Sequence, residues 1–162
     1  MTDSPRYNRP DEDPGERLDR QWNELLQELR LAQTGTQILF AFLLSIAFQN
    51  RFQDADGFTH AVYTVTLIAS ALAVGLFLAP VSFHRIVYRR KLRDRMLPIA
   101  GRMAVGGMIF LILAIAGGIL IAVDVVLPRP AAIIIVAAVL LWFTVLWYAV
   151  PAWVRRTSAN EE

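Results

Sequence analysis

The sequence contains no cysteine, which excludes disulfides, thiolate zinc sites, cysteine-attached haem and iron–sulfur clusters held by thiolates. Histidine is nearly as scarce. His60 and His84 bracket one apolar run, and at helical rise they stand about 36 Å apart, so a single copy of the chain cannot join them at a metal. Ser45, Ser70 and Ser82 have no base and orienting acid at matching depth, which argues against nucleophilic hydrolase chemistry. No nucleotide-binding loop is present. These absences predict a protein that is not an enzyme, with no cofactor and no metal.

Positive charge is missing from four long stretches: Leu31 to Asn50, Ala61 to Phe83, Met103 to Val123 (continuing past Asp124 to Leu127), and Ala131 to Val154. Hydrophobic residues make up 56% of the chain, high for a soluble domain. A helix needs about 20 mostly apolar residues to cross roughly 30 Å of hydrocarbon, and each of the four runs is that long. None shows the strict alternation of a membrane barrel strand. The predicted fold is therefore all-α: an integral membrane four-helix bundle with spans near 31–50, 61–83, 103–127 and 131–154.

Net charge is only +2, but its distribution is lopsided. Arg6, Arg9, Arg17, Arg20 and Arg30 precede the first span, and Arg85, Arg89, Arg90, Lys91, Arg93, Arg95 and Arg102 lie between the second and third. Arg155 and Arg156 follow the fourth. Only Arg51 and Arg129 fall in the other two loops. Because cationic loops stay on the cytoplasmic side, both termini are expected to be cytoplasmic. Arg85, Arg89, Arg90, Lys91, Arg93 and Arg95 are candidate contacts for anionic lipid headgroups. Membrane flanks explain the charge without nucleic acid, which is not an expected partner.

Residues 1–12 are polar and proline-bearing, and a disordered cytosolic tail without a cleaved signal peptide is expected. Asp13-Pro14-Gly15-Glu16 carries the residues of a capped helix start. Over 13–30, Leu18, Trp22, Leu25, Leu26 and Leu29 recur at helical spacing, predicting a cytosolic amphipathic helix. It would lie along the membrane surface or pack its stripe on the cytosolic loop or a partner. Trp22, Leu25 and Leu29 are the candidate contacts. Pro98 is expected to open the third span, Pro80 and Pro151 to kink theirs, and 155–162 to form a cytosolic tail. Trp153 beside Arg155 and Arg156 reads as an interfacial anchor.

Within the spans, Gln33 and Gln37 share one face of a polar turn near the cytosolic end of the first, and polar groups there commonly hydrogen-bond to neighbouring helices. Small residues repeat at Ala71, Gly75 and Ala79, and at Ala100, Ala104, Gly107, Ala114, Gly118 and Ala122. Both sets are expected to be helix contact faces. Asp54, Asp56 and Gly57 superficially suggest a calcium loop, but Phe58 and Val65 stand where oxygen ligands are required, so a solvated turn is expected. Asp124 is the one acidic side chain within a span. It sits about one turn from the outer surface, within reach of Arg129 or Arg51.

The segment from Arg17 to Arg30, followed by Ala32-Gln33-Thr34-Gly35 and Gln37 to Leu44, resembles the opening signature of a family of small actinobacterial membrane proteins known as domain of unknown function 6328. Ala79-Pro80-Val81 and His84-Arg85 are also similar, and the resemblance covers roughly residues 16 to 156. It implies a bacterial plasma membrane location and no established activity. Some relatives carry a sodium:proton antiporter label. The leading expectation is accordingly a membrane interaction or regulatory module, meeting the bilayer, another membrane protein or a second copy. The alternative is an oligomeric cation or proton transporter with Asp124, Gln33 and Gln37 as candidate ion-site residues. Glutamine can coordinate a cation but cannot carry a proton at ordinary pH.

Overall fold

The computed structural model describes residues 13–87 and 93–158. Every regular element among them is helical: α1 (Pro14–Ile46), α2 (Asn50–Gln53), α3 (Gly57–Val87), α4 (Arg93–Asp124), α5 (Arg129–Thr144), a π-helical turn (Val145–Ala149) and α6 (Val150–Ser158). Four helical stretches are long and apolar enough to cross a membrane: Gly15–Ile46, Gly57–Ser82, Leu97–Asp124 and Arg129–Val154. The expected tail at 1–12 lies outside the described residues. The end of the bundle where α1 begins and α6 finishes is called basal here, and the opposite end distal.

α1 starts where its capping residues predict, with the Glu16 carboxylate reaching back to the Asp13 N–H at 3.4 Å. The amphipathic segment and the first span are then a single uninterrupted helix of 33 residues. A helix lying in the membrane plane would have to turn sharply before the span, and α1 contains no such break. α1 also stops at Ile46, short of the expected Asn50. A tertiary contact contributes to this: the Tyr63 hydroxyl, brought by α3, donates to the Leu43 carbonyl at 3.0 Å. The Ala47 N–H, which would meet that carbonyl in a continuing helix, bonds to Ser45 instead.

α3 and α4 form the central antiparallel pair. Gly107 faces Phe77 and Gly117 faces Thr66, so contacts move toward the base on α4 as they move forward along α3. A Cβ added at Gly107 would lie 2.6 Å from Phe77 Cε1, and Phe77 is fully buried. Glycine there is what lets the two helices approach. The small-residue face predicted for α4 is the contact face at Ala100, Gly107 and Ala114, all buried, with Ala104 and Gly118 half-buried, but Ala122 is exposed. The one predicted for α3 is not: Ala71 and Gly75 are exposed, and Ser70, Ala73, Phe77 and Pro80 face inward instead. On α3 the large ring of Phe77 supplies the knob and the small residues of α4 supply the hole, so α3's own small stripe is left outside.

α1 packs across this pair. Leu29 joins Ala73, Phe77 and Leu111 in the basal core, and Leu43 joins Tyr63 and Ile121 in the distal one. α5 is peripheral, burying only Ala132 and Val136. Pro98 lies inside α4, which begins at Arg93, instead of opening it, so its missing N–H removes one intrahelical bond near the helix start.

Candidate functional site

The basal half holds a concave feature walled mostly by apolar side chains. Proline at 151 has no N–H, and its ring crowds the carbonyl four residues earlier. The chain responds by widening: the Val150 N–H bonds to the Val145 carbonyl, five residues back, closing a π turn over 145–149. Such a turn inserts an extra residue and re-aims the side chains it carries, and these turns recur at functional sites. Here it directs Trp147 onto the basal core and buries the Tyr148 hydroxyl without a hydrogen-bond partner.

Between this turn and α1, α3 and α4 lies a cavity of about 350 Å³. Leu25, Leu29, Phe77, Met108 and Trp147 supply its apolar wall, and Tyr148 and Glu28 its polar groups. Glu28 is exposed and marks the rim. This is the composition of a small-molecule site, mostly apolar with a few placed polar atoms. Measured down α1 from Ile46, Glu28 lies about 27 Å below the distal end.

The predicted contact stripe is therefore used within the chain at two of its three positions. Leu29 is 5% exposed in the core, Leu25 packs beside it, and both line the cavity. Trp22 is half-buried. Of the predicted lipid-contact residues, Arg89, Arg90 and Lys91 lie outside the described residues, as do the side chains of Arg85, Arg93 and Arg95.

At the distal end the sequence-predicted Asp124 meets Arg129. The guanidinium donates to both carboxylate oxygens, from Nε at 3.3 Å and Nη2 at 3.1 Å. The same Nη2 donates to Asp56 at 2.7 Å, and the cation sits 4.3 Å above the Phe58 ring. Asp56 also caps α3, accepting from the Thr59 N–H at 2.9 Å and the Thr59 hydroxyl at 2.7 Å. The Thr59 hydroxyl, then the Thr59 N–H, then Arg129 hold the Asp56 carboxyl well below its usual range. Asp56 is thus more than part of a solvated turn: it links the α2–α3 loop to the α4–α5 connection. Nearby, His60 Nε2 lies 3.0 Å from the Phe52 carbonyl, and its ring meets Phe52 edge-on.

Asp124 also lines a distal depression with Gln49, Arg51, Asp54 and Thr59. Gln33 and Gln37 are elsewhere. They lie about 20 Å and 14 Å below the distal end of α1, with Gln33 half-buried and Gln37 exposed. The buried polar group of that turn is Thr36, whose hydroxyl donates to the Ala32 carbonyl at 2.7 Å. The three candidate ion-site residues are not assembled into one site. Among the described residues, no group of three or more metal-ligating side chains occurs.

Sequence reasoning missed the cavity and the role of Asp56. Pro151 was the one signal for the cavity, through the turn it widens. No curated protein and no solved structure matches the chain. The profile described as "Family of unknown function (DUF6328)" matches residues 11–151, covering the basal stripe, the first three spanning helices, the fourth as far as Pro151, and the π turn, and the chain belongs to that family.

Proposed function

We propose that this protein is a non-catalytic binding module of the plasma membrane, with both termini cytoplasmic, whose basal cavity holds the apolar chain of an amphipathic molecule from the inner leaflet. The cavity carries this reading. Its volume suits about a dozen methylene-sized groups, and it lies at the depth where acyl chains meet their headgroups. The Tyr148 hydroxyl, buried without a partner, supports a ligand that brings a hydrogen-bond acceptor. Glu28 at the rim favours a neutral or cationic head over an anionic one. The basic segment around Arg85 to Arg95 would draw the inner-leaflet surface close.

A photoreactive fatty amine, with a diazirine in its chain, tests this in protein reconstituted into liposomes. Labelling should concentrate on Met108 and Trp147, and Ala104→Trp, which fills the cavity, should abolish it. Labelling spread evenly over lipid-facing positions such as Ile134, or unchanged by Ala104→Trp, would remove the proposal.

A further inference from the structure

α1 presents a second face that the bundle does not cover. Arg30, Thr34, Gln37, Ala41 and Leu44 are all exposed, and their alternating spacing of four and three residues is that of a coiled-coil seam. Thr34 satisfies its own hydroxyl on the Arg30 carbonyl at 2.9 Å. Gln37 has no such internal solution: among the described residues its amide has no hydrogen-bond partner.

Depth makes this consequential. From exposed Arg102 to Asp124, α4 rises about 33 Å, the thickness of the hydrocarbon. Leu39 touches the Gly118 position, so Gln37 lies about 12 Å below Asp124, in the middle third of that distance. Neither water nor headgroups reach it there, and an amide left bare in hydrocarbon is costly. Arg30, nearer the base, can extend its guanidinium to the headgroups.

We infer that a second copy of this chain covers the seam, forming a parallel two-fold dimer in which the Gln37 amides of the two copies bond reciprocally. Copies inserted in the same orientation meet about an axis along the membrane normal, so each seam residue faces itself. Among the residues of the seam, glutamine is suited to this because its side chain carries both donor and acceptor. Small Thr34 and Ala41 on either side allow the backbones to approach. This inference goes beyond the binding reading and does not depend on it.

The cysteine-free chain makes the test direct. In native membranes, oxidation of Thr34→Cys or Ala41→Cys should give covalent dimers, whereas Val65→Cys, exposed on α3, should not. In liposomes, single-molecule photobleaching across a dilution series should show a monomer–dimer equilibrium. Gln37→Leu should weaken it about three- to thirtyfold, and Gln37→Asn should retain most of it. Cross-linking of Ala41→Cys no faster than that of Val65→Cys, a wild type that stays monomeric at every density, or a Gln37→Leu dimer of unchanged affinity would each overturn the inference. Gln37 lies outside the core, so the leucine variant should fold normally.

Discussion

Arg129 is the most connected polar side chain of the distal end, and its two carboxylates are not equivalent. The Asp124 side chain is 12% exposed and that of Asp56 50%. Water screens the second pair more strongly. Asp124→Asn should therefore lower the melting temperature in detergent more than Asp56→Asn, with Arg129→Ala lowering it at least as much as either. The Asp56 carboxyl is depressed below its ordinary value of 3.8. A depressed acid contributes stability that is present above the unfolded pKa and lost as pH falls through the folded one. The melting temperature of wild type minus that of Asp56→Asn should hence stay flat from pH 7 to about pH 5 and shrink only below the ordinary carboxylate range. Ser70 offers the opposite case. It is fully buried with no partner for its hydroxyl, so Ser70→Ala should leave thermal stability unchanged or raise it.

At the scale of helices, the glycines separate contact from decoration. Gly107→Ala would drive a Cβ into the immobile ring of Phe77 and should destabilise by about 1–3 kcal/mol. Gly75, with nothing within 4 Å of an added Cβ, should become slightly more stable as alanine, by about 0.5–1 kcal/mol. Equilibrium unfolding in mixed micelles would distinguish them. The spans themselves were legible because roughly twenty apolar residues without lysine or arginine admit few other structures. Which small stripe became the α3 contact face was not legible, since Ala71 and Ser70 differ little in size and only the position of Phe77 decides. Likewise the tertiary contact that helps to end α1 at Ile46 was not legible, because the Tyr63 hydroxyl comes from another helix. Pro151 announced a distortion but not its form. Its replacement by alanine should restore an ordinary helix, withdraw Tyr148 from the cavity and weaken photolabelling there.

For the whole molecule, the cationic asymmetry predicts sidedness. A membrane-impermeant thiol reagent should label Asp54→Cys on intact cells and Arg156→Cys only after permeabilisation, and the reverse pattern would invert the assigned topology. The alternation of charge was readable from the chain because it is a property of loops. The distal clamp was only half readable. Asp124 and Arg129 are neighbours in sequence, whereas Asp56 joins them from 73 residues away. That separation has a kinetic meaning. Asp56 lies between the first two spans and Arg129 between the last two, so their contact joins the two hairpins and needs at least three helices packed together. An interaction absent from the folding transition state leaves the folding rate alone and acts on escape from the native state. If the clamp closes late it is a latch on a finished structure, and breaking it should then shorten the lifetime of the folded protein without slowing its formation, which unfolding and refolding rates of Arg129→Ala would check.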